Sequence, residues 1–324
     1  MNFYILLTVL IFLFVFELIY FKIADKYNII DHPNHRSSHT DVTIRGGGII
    51  FSIALLISPI YLGWNYIYFL IGLFLISAIS FIDDIKTIGN GIRIVFHLTA
   101  VALIFYQLNI YDFPVYWVVI GFIIVIGTIN AVNFMDGING ITGAYGLITL
   151  ATLYYVNSYI VNFTNADLLL IAVLAVLVFN FFNFRVKAKC FAGDVGSVSL
   201  AFIILFFLLQ LIIKTNNFNY VLLLLIYGLD TATTIFFRVV RKERISEAHR
   251  SHFYQYLVNE KKAPHLLVAT IYAVAQGGVN IILIVFLFQS NYLLILIITG
   301  ATVLFIGVRF ITEGTNKLLS LSSK

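Results

Sequence analysis

Stretches of about 17–22 mostly apolar residues recur from one end of this 324-residue chain to the other, each long enough to cross a hydrocarbon layer about 30 Å thick. No other feature constrains the fold as tightly, because a backbone in lipid finds no water to bond and must satisfy its N–H and C=O groups internally. Runs of this length do so as helices. With 61% hydrophobic and 11% charged residues, the chain falls outside the range of ordinary soluble domains. The expected fold is all-α and polytopic, with residues 1–324 forming a single integral-membrane domain and no room for a separate soluble one.

Helices are predicted near 3–21, 46–63, 66–82, 93–108, 115–130, 141–158, 167–182, 197–213, 219–238, 265–288 and 291–311, about eleven in all. The first run ends without a small-residue cleavage site and reads as a span rather than a removed leader. When the connectors are assigned to alternate faces, Lys214 falls alone on one face and the other 19 of the 20 Lys and Arg fall on the opposite one. The positive-inside rule then puts the N-terminus outside and the C-terminus in the cytoplasm. Outer connectors are short, so function is expected at the inner face. The single cysteine, Cys190, rules out an intramolecular disulfide and a CxxC metal site, and reads as a small filler.

Five inner segments carry the polar residues. In "FIDDIKTIGNGIR", Asp83 and Asp84 end the third run, at a helix C-terminus whose dipole disfavours negative charge. They are either a solvated pair or a pair met by a cation, which Lys86, Arg93 or a divalent metal would supply. "NAVNFMDGINGITG" sets Asn130, Asn133, Asp136 and Asn139 three apart, on one face if the helix continues, with Gly137 and Gly140 permitting a break. Amides beside a carboxylate suit a nucleobase edge or the outer shell of a metal.

"FRVKAKCFAGDVGS" leads into the eighth run, where a helix N-terminus would favour an anion. There Asp194 either caps the helix or holds a metal carrying phosphates. The spacing is not that of a Walker loop. "HRSH" puts His249 and His252 on one helical face around Arg250, a set better suited to a diphosphate than to zinc. The preceding basic run, Arg238 to Arg244, reads as a positive-inside anchor. "DHPNHRSSHTDVTIRGGG" offers Arg36, His39 and Arg45 to an anionic ligand, and its three glycines permit close packing or exposed N–H groups. His32, His35 and His265 read as surface residues, whereas His97 either lines a cleft or makes a packing hydrogen bond.

Together these groups suit a divalent cation and a diphosphate at a membrane surface. Intramembrane Glu17 and Asp230 keep open a second class, a secondary transporter of an anionic solute, although a carrier gathers its binding groups near mid-bilayer.

The blocks "DHPNHRSSH", "RGGG", "FIDDI", "NAVNFMDGINGITG", "FAGDVGS" and "AHRSHFYQ", in this order, resemble the polyprenyl-phosphate N-acetylhexosamine-1-phosphate transferases of glycosyltransferase family 4, relatives of the phospho-MurNAc-pentapeptide translocase. The "HRSHFYQ" form resembles the branch that initiates O-antigen and capsule synthesis. The resemblance implies transfer of a sugar 1-phosphate from a UDP-N-acetylhexosamine to polyprenyl (undecaprenyl) phosphate, with release of UMP and dependence on Mg²⁺ or Mn²⁺. It also implies a bacterial cytoplasmic-membrane location with the site facing the cytoplasm, no nucleic-acid partner, and a homodimer as one possible assembly. Carried onto this chain, Asp194 and Asp84 would be metal ligands, and Asp83 and Asp84 would bind metal or activate the lipid phosphate. Phe191 would stack on uracil, Asn133 and Asp136 would read its edge, and His249, Arg250 and His252 would hold the diphosphate. Asn139 stands where many relatives carry a second Asp, and Val42 and Ile44 stand where prolines are common.

Overall fold

The computed structural model describes residues 1–31, 42–244, 250–286 and 291–320, without the side chains of 291–294. The chain opens with α1 (Phe3–Lys26) and a ribbon of β1 (Ile30–Asp31) and β2 (Thr43–Ile44). There follow α2 (Ile49–Leu56), α3 (Pro59–Leu62), α4 (Ile67–Ile85), α5 (Asn90–Gln107), α6 (Val115–Met135), α7 (Ile141–Tyr159), α8 (Ala166–Asn183) and α9 (Gly193–Thr215). A 3₁₀ stretch, Phe218–Leu224, runs into α10 (Leu225–Val240); then come α11 (Phe253–Asn259), α12 (His265–Phe286), α13 (Asn291–Glu313) and α14 (Thr315–Leu319). Among the described residues nine helices, one of them the continuous Phe218–Val240 stretch, are long and apolar enough to cross a membrane. The chain is an all-α, polytopic integral membrane protein.

Two of the eleven predicted runs lie outside those nine. The second is broken into α2 and α3 at Pro59, whose ring has no N–H to give the Leu55 carbonyl; that carbonyl takes the Ser58 N–H instead. The sixth, α7, has the length, but its Thr, Tyr, Asn and Ser residues reduce its apolarity.

The helices α1 and α9 are similarly apolar in sequence, yet the structure treats them differently: 17% of the α1 window is buried, against 89% of the α9 window. α9 is the axis of the molecule and packs against α2, α4, α6 and α7. Phe69 of α4 stacks on Phe206 of α9 with centroids 3.8 Å apart. α1 and α6 turn Ile11, Ile19, Ile120, Ile123 and Ile124 outward, as a lipid-facing surface requires.

The 3₁₀ stretch beginning at Phe218 disturbs the helical hydrogen-bond ladder inside the apolar bundle. Gln276 of α12, fully buried, repairs it. Its Nε2 donates to the Leu222 carbonyl at 2.8 Å, and its Oε1 accepts the Ile226 N–H at 3.0 Å and the Tyr145 hydroxyl at 2.7 Å. Irregular backbone at this depth persists because a neighbouring helix supplies the missing partners.

At one end of the bundle the segments 43–48 and 190–192 lie side by side. Phe191 N–H donates to Ile44 O, Gly47 N–H to Phe191 O and Gly48 N–H to Ala192 O, at 2.8, 2.9 and 3.1 Å. The glycine run thus serves close packing. A Cβ on Gly48 would lie 2.2 Å from the Gly196 Cα, with backbone on both sides and nothing flexible to yield. Gly48→Ala is therefore expected to destabilise the protein by about 1–3 kcal/mol or more, read as a lower melting temperature in detergent; an unchanged melting temperature would refute this account of the contact.

Candidate active site

Asp84 sits in the last turn of α4, at the wrong end of its own helix for a negative charge. The fold resolves the conflict by aiming its carboxylate at the right end of another. Oδ1 accepts the Asp194 N–H and Oδ2 the Val195 N–H, both at 2.9 Å, so Asp84 caps the first turn of α9 from outside. α9 begins at Gly193, four residues before its predicted start, and therefore takes Asp194 into that turn. The anion expected at this helix end is thus in part the chain's own carboxylate. Gly193, at φ +72°, allows the approach: a Cβ there would stand 2.5 Å from Asp84 Oδ2.

Arg45 completes the shell of Asp84, its Nε 2.7 Å from Oδ1 and its second guanidinium nitrogen 3.7 Å from Asp194 Oδ1. Its backbone is held on both sides, the N–H donating to Ile29 O and the carbonyl accepting the Tyr20 hydroxyl at 2.6 Å. Asp83 organises the start of α5. It accepts the Ile88 N–H at 2.6 Å and pairs with Arg93 at 2.8 Å, while the other nitrogen of Arg93 reaches Asp194 Oδ2 at 3.2 Å. Three carboxylates thus share two guanidinia, a formal excess of one carboxylate. Arg93, weighed in sequence only as a countercharge, is the bridge between Asp83 and Asp194.

The asparagine block does not keep its predicted face. α6 ends at Met135, and Asp136 leaves the helix at φ −84°, ψ 72°. Asn130 donates to its own helix at Ile126 O, and Asn133 Oδ1 accepts the Ser197 hydroxyl at 2.6 Å. Asn139, turned away, donates its amide to the Arg185 and Val186 carbonyls, both at 3.0 Å, and so clamps one connector to another. His265, expected at the surface, accepts the Asn139 N–H at 3.3 Å. Asn183, which no spacing signal marked, ties the loop from both sides: its Oδ1 accepts the Gly140 N–H and its Nδ2 donates to Cys190 O, each at 2.8 Å.

Asp136 accepts the Thr142 hydroxyl at 2.6 Å. Burial pushes its carboxyl up to about 6; the Thr142 hydroxyl pulls it down, Asp194 pushes it up and Arg45 pulls it down. Those two influences put Asp136 in the field of the Asp–Arg cluster. The Phe191 backbone pairs with Ile44 and Gly47, which flank the Arg45–Gly46 step.

His252 is the N-cap of α11, bonded through Nδ1 to Asp230 at 3.1 Å, and Arg250 lies exposed just before it. Tyr254 docks this segment on the Asp136 loop by donating to Phe134 O at 2.9 Å. Arg36, His39 and His249 lie outside the described residues.

Among the described residues no three His, Cys, Asp or Glu side chains form a ready metal cage. A hard cation such as Mg²⁺ needs only one or two carboxylates when phosphates and water complete its shell. Of the two expected ligands, Asp84 has both oxygens engaged and a fully buried side chain, whereas the Asp194 side chain is 19% exposed. Carboxylate oxygens in formal excess over guanidinia, open at Asp194, fit such an ion.

The fold and this cluster define a membrane protein built around acid–arginine chemistry at one end of its bundle. Residues 66–212 match the family glycosyl transferase family 4, a stretch that includes Asp83, Asp84, Arg93, Asp136 and Asp194. The chain is also similar to a probable undecaprenyl-phosphate N-acetylglucosaminyl 1-phosphate transferase of Bacillus subtilis (strain 168), 27% identical over 273 residues that cover 78% of this chain and 76% of that protein.

Because the Thr142 hydroxyl bonds the charged form of Asp136, Thr142→Val is expected to move the Asp136 titration above its midpoint of about 6. Carbon-13 NMR of labelled aspartate in wild type and variant checks this; a midpoint that stays or falls would show that the hydroxyl does not favour the anion.

Proposed function

We propose that this protein transfers a sugar 1-phosphate from a UDP-N-acetylhexosamine to undecaprenyl phosphate, as the first membrane step of a cell-surface glycan such as O-antigen or capsule. The observation that carries this is the cluster of Asp83, Asp84, Asp194, Arg45 and Arg93 at one end of a lipid-facing bundle, where a water-soluble and a lipid-borne phosphate can meet. The printed activity of the Bacillus relative and the family match support the same chemistry. The charge bias of the connectors supports a cytoplasmic site.

In the proposed reaction an oxygen of the lipid phosphate attacks the sugar-bearing phosphorus of the nucleotide sugar. The bond to the uridine phosphate breaks, and UMP leaves with the electron pair. A bound divalent ion would supply charge neutralisation on the phosphate oxygens, with Asp194 as its open ligand. Asp84 holds the α9 end that presents Asp194. Arg45 and Arg93, already drawn to the carboxylates, stand where they can turn to phosphate oxygens as these arrive. Asp83 keeps Arg93 and the start of α5 in place. Since a lipid phosphate is largely ionised at neutral pH, alignment and electrostatics carry most of the activation.

Purified protein with undecaprenyl phosphate, Mg²⁺ and a panel of UDP-N-acetylhexosamines is expected to release UMP, and EDTA to stop it. Asp194→Asn is expected to lower turnover at least about a hundredfold while the protein stays folded. Intact nucleotide sugar accumulating in proteoliposomes without UMP would favour the carrier alternative, and full activity of Asp194→Asn would remove its assignment as a ligand.

A further inference from the structure

Of the nine long apolar helices, α13 is the least enclosed: 6% of its window is buried, and among its described side chains from Ile295 to Glu313 only Arg309 lies inside the protein, 1% exposed. An apolar side chain would attach such a helix equally well, since a buried ion pair is often no more stabilising than well-packed hydrophobic residues of the same volume. What a guanidinium adds is direction. Nε and Nη2 donate to the two oxygens of Glu313 at 2.5 and 3.3 Å, and Nη1 donates to the Thr233 and Thr234 hydroxyls at 3.0 Å each. The remaining proton of Nη2 goes to the Ser251 carbonyl at 3.1 Å. All five N–H groups are therefore used, and Glu313 meets the charge. The central carbon of the group lies 5.2 Å from the Phe237 ring centroid and 5.8 Å from that of Phe253, within reach of both ring faces.

Ser251 stands between Arg250 and His252, in the stretch that leads into α11. Arg309 holds its carbonyl, and Asp230, fully buried on α10, holds the N–H groups that follow, Phe253 at 3.0 Å and Tyr254 at 3.2 Å. Thr234 joins the two, accepting from Arg309 and donating to Asp230 Oδ1 at 3.2 Å. A cation thus fixes the carbonyl side of one short stretch and an anion its N–H side. α13 grips α11 a second time where the Tyr256 hydroxyl donates to Thr312 O at 2.8 Å. His252 is taken up in this anchoring as the N-cap of α11, whereas Arg250, just before it, is exposed. The Tyr254 hydroxyl donates to Phe134 O at 2.9 Å, so whatever holds residues 251–254 also sets where Arg250 leaves the backbone relative to the Asp136 loop.

We infer that Arg309 is a positioning residue for the transfer reaction, holding the Ser251 backbone so that Arg250 meets the diphosphate of the nucleotide sugar beside the Asp136 loop. It touches no substrate itself and acts only through the segment it grips. The role toward the diphosphate rests on the proposed function; the grip on Ser251 does not. A residue that merely fastened α13 would need no planar fork, and a lysine has none. Reaching Ser251, both threonines and Glu313 from one side chain does.

The test uses full-length protein in nanodiscs and the paired variant Arg309→Met/Glu313→Met, which removes the ion pair and keeps its volume. Hydrogen exchange over residues 250–256 is expected to quicken at least about tenfold while the start of α9 keeps its rate. By calorimetry in Mg²⁺, the affinity for UDP is expected to fall at least about tenfold and that for uridine to change less than about twofold, with the melting temperature within about 4 °C of wild type. In an Arg250→Ala background the same pair of substitutions is expected to change the UDP affinity less than about twofold further. Unchanged exchange over 250–256 would overturn the inference. So would an equal loss of UDP and uridine binding, which marks a general loosening of the fold, or an undiminished loss of UDP binding in the Arg250→Ala background. Wild-type protein that binds no UDP would sink the proposed function and the diphosphate role with it, while the exchange rates still decide the grip on Ser251. If the paired variant does not fold, Arg309→Lys, which keeps the charge without the fork, is held to the same exchange and binding outcomes.

Discussion

One carboxylate joins the two halves of the site. Asp84 ends α4, where the helix dipole repels it, and lies against the start of α9, where two N–H groups and Arg45 receive it. An unpaired charge this deeply buried would cost several kcal/mol, and breaking such a pair from one side costs about 3–5 kcal/mol. The contact therefore locks the end of one helix to the beginning of another. Asp194 takes its position from it, Arg45 is drawn inward by it, and Arg93 reaches Asp194 from the side that Asp83 holds.

A second constraint is that every irregular backbone segment near the bundle must be satisfied by protein. Gln276 does this for the 3₁₀ stretch ahead of α10, Asn183 for the loop after α6, Asn139 for the connector after α8, and Asp230 with Arg309 for the approach to α11. Each is a polar side chain in a largely apolar setting, and each serves another element's backbone rather than its own. Satisfied networks of this kind rigidify, because a half-made one leaves buried groups without partners. Rigidity matters here because reactions between two phosphates depend on alignment more than on any single proton.

The apolar runs were legible in the sequence because crossing lipid demands length and hydropathy, both local properties. So were the acidic, amide and glycine blocks of the site, since residue types at fixed spacing survive in a linear reading. Asn139 shows the limit: it shares the spacing of Asn130, Asn133 and Asp136, but the helix stops at Met135 and its amide serves the 185–186 carbonyls instead. Asn183 and Thr142 carried no signal because their partners lie on other elements or across a turn. Asp230 was visible as an intramembrane charge, but its partners beyond Thr234, 22 to 42 residues away, were not.

The sequence by itself determined that this is a helical membrane protein whose chemistry-bearing residues cluster in a few connectors, since hydrophobicity and residue type act locally. Only the tertiary structure decided which apolar helix is core and which faces lipid, because α1 and α9 are alike in composition and differ in what packs around them. It also decided that Asp84 caps α9, that Arg93 bridges Asp83 to Asp194, and that Asp230 holds His252. Such pairings depend on where helix ends meet in space, and a carboxylate finds its donors by proximity, whatever their separation along the chain.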